Sequence, residues 1–196
     1  MIAQAGIDFV SLPKEESDSP LGEYSGAGTI FGATGGVMEA ALRTANYLLT
    51  GEELPEEKLA FRELHGLEGV KEAEVRIGGT TVRIAVAHGL GHVETVLDRI
   101  RAAKASGEEP PYHLVEVMAC PGGCIGGGGQ SWGVTDQIRR QRVTGLLEED
   151  AGKTIRVSHK NASVQKLYEE FLGHPMSEKS HKLLHTAYKA IPQYRR

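Results

Sequence analysis

From residue 37 the apolar positions fall at Val37, Met38, Ala41, Leu42, Ala45, Leu48 and Leu49, the three-and-four spacing of one helix face, and Gly51 supplies the stop. Further on the period drops to two. Val75 and Ile77, then Val82, Ile84 and Val86, alternate with Arg76, Thr81 and Arg83, and Gly78-Gly79 between them reads as a hairpin turn. A helical period returns over His92 to Ala105 through Val93, Val96, Leu97 and Ile100, and the run Leu114–Met118 reads as a short buried strand. Strand (81–88), helix (92–106) and strand (113–118) together predict a right-handed βαβ crossover with parallel strands. In open α/β sheets, sites are built at the carboxyl ends of such strands.

The flanks are plainer. Gly6-Ile7-Asp8-Phe9-Val10 is expected to form a short strand, followed by a polar loop over Pro13–Pro20, and residues 51–60 read as a Glu-rich solvated stretch. Val134–Leu147 is expected to hold a helix. Asn161 is placed to cap a helix over Ala162–Leu172 that Gly173 stops, and Ser177 with Glu178 opens another through Tyr188. No internal repeat is visible. The expectation is an α/β lobe containing the βαβ unit, over residues 1–150, with a helical C-terminal extension over residues 151–196.

Composition narrows the function classes. With 22 Lys and Arg against 26 Asp and Glu the formal charge is −4, so there is no basic field for nucleic acid or anionic lipid. No run of about 18 apolar residues predicts membrane insertion, and the N-terminal residues lack the pattern of a signal peptide. A cytoplasmic location is expected. Two cysteines do not make a disulfide scaffold. Glycine is the outlier, 25 of 196 residues, close to double the usual ~7%. Six lie between Gly22 and Gly36 and seven between Gly122 and Gly133, where backbone is expected to approach something closely or to adopt positive φ.

The second window carries chemistry. It reads Val117-Met118-Ala119-Cys120-Pro121-Gly122-Gly123-Cys124-Ile125-Gly126-Gly127-Gly128-Gly129-Gln130, and it holds both cysteines of the chain, four residues apart. Soft thiolates at this spacing suit an iron–sulfur cluster or zinc, and free N–H groups of the glycines suit sulfide or other anionic ligands. A reversible disulfide, two inert buried cysteines, or a phosphate-binding loop remain as alternatives. The last is the weakest, because Gly126–Gly129 is not followed by Lys-Ser/Thr. Two thiolates are half of a four-cysteine set. Elsewhere His181 and His185 lie at i, i+4 with Glu178 a turn earlier, a spacing that also suits zinc but is expected to be structural. His88 and His92 flank a strand-to-helix turn, where surface or capping roles are expected.

Met118–Gln130 resembles the third signature motif of the iron-only hydrogenases. The stretch Gly22–Arg43, with Phe31-Gly32-Ala33-Thr34-Gly35-Gly36-Val37-Met38-Glu39 at its centre, is similar to the segment that precedes that motif in the family. Arg156-Val157-Ser158-His159-Lys160-Asn161 and the helices after it look like the small-subunit segment that wraps the catalytic domain. In family order the resemblance runs from about residue 5 to residue 190. It implies that Cys120 ligates the 4Fe-4S part of the H-cluster, and that Cys124, also a cubane ligand, bridges to the two-iron subsite. It implies that Met118 and Phe31 pack beside that subsite, where soft apolar side chains exclude water. For Met118 and Phe31 on their own, core packing is the plainer reading.

The resemblance also implies what is not here. A Thr-Ser-Cys-Cys-Pro motif and a Met-Pro-Cys motif, which supply the other cubane ligands, a proton-shuttling cysteine and a lysine for cyanide, have no counterpart. Ser131 stands where the family's glutamine is usually followed by proline. The expectation is therefore the C-terminal half of a catalytic domain, as a fragment, a split subunit or a truncated reading frame, in need of a complementary N-terminal hydrogenase chain. The implied activity is reversible H2 oxidation and proton reduction, with ferredoxin or a nicotinamide-linked subunit as electron carrier. The rival is a non-catalytic hydrogenase-like iron–sulfur protein of cluster assembly or sensing, or an inactive fragment.

Overall fold

Gly78 at φ 54° and Gly79 at φ 83° turn the chain between β1 (Val70–Ile77) and β2 (Thr80–His88). Only glycine adopts two consecutive positive φ values without strain, which is why the Gly-Gly pair marks the hairpin. The strands pair antiparallel, with Val75 opposite Val82 and Ile77 opposite Thr80. β2 leads through Gly89 into α3 (Leu90–Ser106), and β3 (Leu114–Met118) returns parallel to β2, with Ala85 opposite Val115 and His88 opposite Met118. The sheet order is β1-β2-β3. This is a computed structural model, and it describes residues 1–16, 18, 22–54 and 67–189. Most of the expected Glu-rich stretch lies outside the described residues.

Alternation along β2 assigns its two faces. Ile84 and Val86, with Val75 and Ile77 of β1, pack under Met38 and Leu42 of α2 (Gly36–Thr50). Ala85 and Ala87, both fully buried, let α3 settle through Val93 and Val96 on the other face. α3 covers only part of that face. On β3, Val115 and Val117 continue it and remain 38% and 49% exposed.

The other described elements lie before and after this layer in the chain. A short α1 (Gly26–Thr29), capped by the Ser25 hydroxyl, precedes α2, and α4 (Asp136–Gly152) packs against α1. The tail carries α5 (Ala162–Leu167), which continues as a wider π turn through Leu172, and α6 (Glu178–Leu184). Asn161 caps α5 as expected, accepting from Ser163 N and Val164 N, and its Nδ2 also donates to Glu23 O, so the cap ties the tail to the first glycine window. Tyr47 of α2 stacks on His159 of the tail at 4.5 Å between ring centroids.

Two expectations are corrected. Residues 6–10 form no strand: Gly6 is left-handed, and Asp8 caps a single 3-10 turn at Phe9–Ser11 by accepting from Val10 N. Ile7, Phe9 and Val10 are exposed, and among the described residues no strand lies beside them to pair with. The last helix ends at Leu184 rather than Tyr188. Leu183, Leu184 and Tyr188 are all exposed, and a short helix whose end has no apolar surface to bury is not extended by propensity alone.

Candidate metal centre

β3 delivers the site. Its last residue, Met118, is half-buried, and its carbonyl accepts from Gly89 N at 2.9 Å, pinning the strand end beside the β2–α3 turn. The chain then doubles back: Gly123 N donates to Cys120 O at 3.0 Å, with Gly122 at φ 80° and Gly123 at φ 91°. A 3-10 turn over Cys124–Gly126 follows. Cys120 is half-buried, Cys124 is exposed, and both are free thiols. Gly127 closes over the first thiol, since a Cβ there would lie 3.1 Å from Cys120 Sγ. The loop thus keeps side-chain bulk away from the sulfur.

The first glycine window forms the facing arm. Ile30–Gly32 is a 3-10 turn that buries Ile30 completely and turns Phe31 outward, 46% exposed. Core packing does not describe Phe31. The two arms interlock through backbone: Thr34 N donates to Gly122 O at 3.1 Å. A Cβ on Gly123 would come within 2.8 Å of Thr34 N and 2.9 Å of Gly32 O. Glycine is required here both for its φ and for the space.

Three further side chains hold the arms, and the expectations from sequence did not include them. Glu116, on β3 and 8% exposed, accepts from Gly35 N and Met38 N, each at 2.6 Å. From α4, Arg142 donates to Ile125 O at 2.5 Å, and the Arg139 side chain lies against Gly122 and Gly126. The signal for Glu116 was present in the alternation of β3, which aims residue 116 to the face opposite Val115 and Val117. The arginines carried no such signal, because α4 reaches this loop only in three dimensions.

His181 of α6 and His185, just past its end, stack at 4.5 Å between ring centroids, and among the described residues no group of three or more His, Cys, Asp or Glu is placed to hold a metal. His88 departs from the expected surface role: it is 4% exposed, its ring buried against the backbone of Leu67 and Glu68. Burial, with the neighbouring His92, holds its pKa below the usual histidine value. His92 Nδ1 lies 3.0 Å from His88 O.

Comparison with known proteins decides the family. The family model described as iron only hydrogenase large subunit, C-terminal domain, matches residues 1–128, and that of the iron hydrogenase small subunit matches residues 136–191. The chain belongs to the iron-only hydrogenase family. It is 50% identical over 189 residues to the NADP-reducing hydrogenase subunit HndD of Solidesulfovibrio fructosivorans, covering 96% of this chain and 31% of that protein. Against iron hydrogenase 1 of Clostridium pasteurianum it is 40% identical over 196 residues, covering 96% of this chain and 33% of that one. At lower identity, 29% over 197 residues, it matches Protein NAR1 of Arabidopsis thaliana, covering 97% of this chain and 40% of that protein. The fold matches the FeFe-hydrogenase HydA1 of Chlamydomonas reinhardtii with a TM-score of 0.66 and 37% identity, over 95% of this chain and 52% of that one. The chain thus spans about a third of these curated relatives and half of the solved structure.

Iron–sulfur cofactors, including the H-cluster, go with this family. The residues present fit part of that group. Two free thiols sit on one glycine loop, and Gly127 leaves open the space next to Cys120 Sγ. Soft thiolates are the donor type that iron–sulfur clusters take.

Proposed function

We propose that this chain forms one wall of an H-cluster site in an iron-only hydrogenase. The cluster, once bound, supplies the redox chemistry that interconverts protons, electrons and H2. Cys120 would hold the 4Fe-4S cubane, and Cys124 would hold it and bridge to the two-iron subsite. Met118 and Phe31 would line the approach and keep water from the reactive iron. The observation that carries this reading is the interlock of the two glycine arms, which brings the Cys120–Cys124 loop and the Phe31 turn together at the carboxyl end of β3.

The remaining ligands would come from a complementary polypeptide bearing the Cys-Cys-Pro and Met-Pro-Cys motifs. The outward Phe31, the uncovered Val115 and Val117, and the position of β3 at the sheet edge support such a partner. In this arrangement residues 1–150 are the lobe that carries the site and residues 151–196 wrap it. A ferredoxin or a nicotinamide-linked subunit would exchange electrons, a reading supported by the name of the relative from Solidesulfovibrio fructosivorans. A cytoplasmic site of action is supported by relatives named as cytosolic Fe-S cluster assembly factors; no helix among the described residues is long and apolar enough to cross a membrane.

The test is to combine the chain with the complementary polypeptide and cluster-maturation machinery. H2 evolution, with infrared bands of iron-bound CO and cyanide, is the expected result, and a fully matured complex without either overturns it. A second reading is favoured by relatives named as cytosolic Fe-S cluster assembly factors, for instance one of Drosophila mojavensis at 34% identity. A complex that holds a cubane but shows no CO or cyanide bands supports that reading instead.

A further inference from the structure

A carboxylate in a protein core is unfavourable unless its oxygens are hydrogen-bonded. Glu116 meets that condition through an unusual pair of donors. Its Oε1 accepts from Gly35 N and its Oε2 from Met38 N, each at 2.6 Å. Met38 N belongs to the first turn of α2 and Gly35 N to the residue that precedes it; the helix itself leaves such N–H groups without acceptors, and the positive end of the helix dipole favours a negative charge there. Gly35, the residue before α2, has no side chain with which to cap it. The cap is supplied by another element, 81 and 78 residues away in sequence.

What the cap holds gives it a further role. A Cβ on Gly36 would collide with Ile30 O, so the start of α2 and the Phe31 turn move as one body. That turn in turn meets the cysteine loop through Thr34 N and Gly122 O. Glu116 lies on the strand that runs two residues on to Met118 and four residues on to Cys120. One carboxylate therefore closes a ring of contacts: β3, the α2 N-terminus, the Phe31 turn, the cysteine loop, and back to β3.

We infer that Glu116 is a positioning residue, which sets the Phe31 arm against the Met118–Cys124 arm through the N–H groups of Gly35 and Met38. The role given to those arms rests on the proposed cluster site. Both oxygens are needed as acceptors. Glutamine has nearly the same shape, but its NH2 would face an N–H donor, so one of the two bonds is lost without a change in volume.

Hydrogen exchange and thiol alkylation of the chain itself test this without any cluster. In Glu116→Gln, Gly35 and Met38 amides should exchange at least about tenfold faster, the scale of losing one charge-assisted hydrogen bond. Loop residues 120–127 should exchange faster too, and iodoacetamide should modify Cys120 and Cys124 at altered rates. The β1–β2 hairpin and α3 should keep their wild-type exchange. Glu116→Asp, which retains two acceptors on a shorter stem, should shift the same segments less, and it carries the test should the Gln variant fail to fold. Exchange that rises only at Gly35 and Met38, or equally throughout the chain, with unchanged thiol rates, overturns the inference. In the matured complex the Gln variant should also shift the CO and cyanide infrared bands. Absence of those bands in the wild-type complex would count against the cluster reading and leave the exchange result standing.

Discussion

Arg43 and Asp150 face each other as a two-pronged pair, Nη1 to Oδ1 and Nη2 to Oδ2, each at 2.8 Å, with side chains no more than 2% exposed. Glu39 and Arg156 complete the group, Arg156 Nη2 reaching Asp150 Oδ2 at 2.6 Å. The pair joins α2 to α4 and, through Arg156, to the start of the tail. Opening a buried pair leaves one charge without compensation, so Asp150→Asn should destabilise the chain by about 3 kcal/mol or more. Urea denaturation followed by circular dichroism reads this as a lower midpoint at unchanged slope.

Gly123→Ala should part the two arms. The added Cβ would press on Thr34 N and Gly32 O while the backbone holds φ 91°. A destabilisation of about 2 kcal/mol is expected from the overpacking and backbone strain together. Gly128→Ala, where a Cβ meets nothing within 4 Å, serves as the control and should change stability little. Thermal melts of the two variants check the contrast.

His88 predicts a pH dependence. Its folded pKa is lowered by burial, so below the unfolded value of about 6.5 the unfolded chain binds the proton that the folded chain refuses. Stability from this group is full above about pH 6.5 and declines as pH falls toward the depressed folded value. Asp150 acts lower on the scale. Burial works against its charge, but hydrogen bonds and charge from Arg43 and Arg156 outweigh it and hold its pKa below the carboxylate range. Its contribution is present above about pH 4 and is lost as pH falls through the folded value. Urea midpoints measured from pH 8 to pH 5 should decline less in His88→Leu than in the wild type.

Val117→Lys should leave the chain's own stability within about 0.5 kcal/mol, since the side chain is already 49% exposed. It should weaken association with the complementary polypeptide proposed above. Equal affinity of the wild type and the Lys variant, measured by calorimetry, would remove this face of β3 from the interface.

The features legible in the sequence are those set by local chemistry. The three-and-four period from Val37 and the stop at Gly51 match α2, and the Gly78-Gly79 pair marks the hairpin. The cysteine motif, with its dense glycines, announced a turn that only glycine backbone follows. Where the local pattern led astray, at residues 6–10 and beyond Leu184, apolar side chains had the right spacing but no surface to bury against.

Sequence alone thus determined the elements, the family resemblance and the candidate thiolates, because period, capping and φ preference act over a few residues. Tertiary structure decided what those elements do to one another. Phe31 reads as a core residue until the fold leaves it exposed, and His88 as a surface residue until the fold buries it. Arg43 and Asp150, 107 residues apart, and Glu116 with the first turn of α2, become partners only when packing removes them from water. Burial sets the strength of a charge or a hydrogen bond, and burial is a property of the assembled chain.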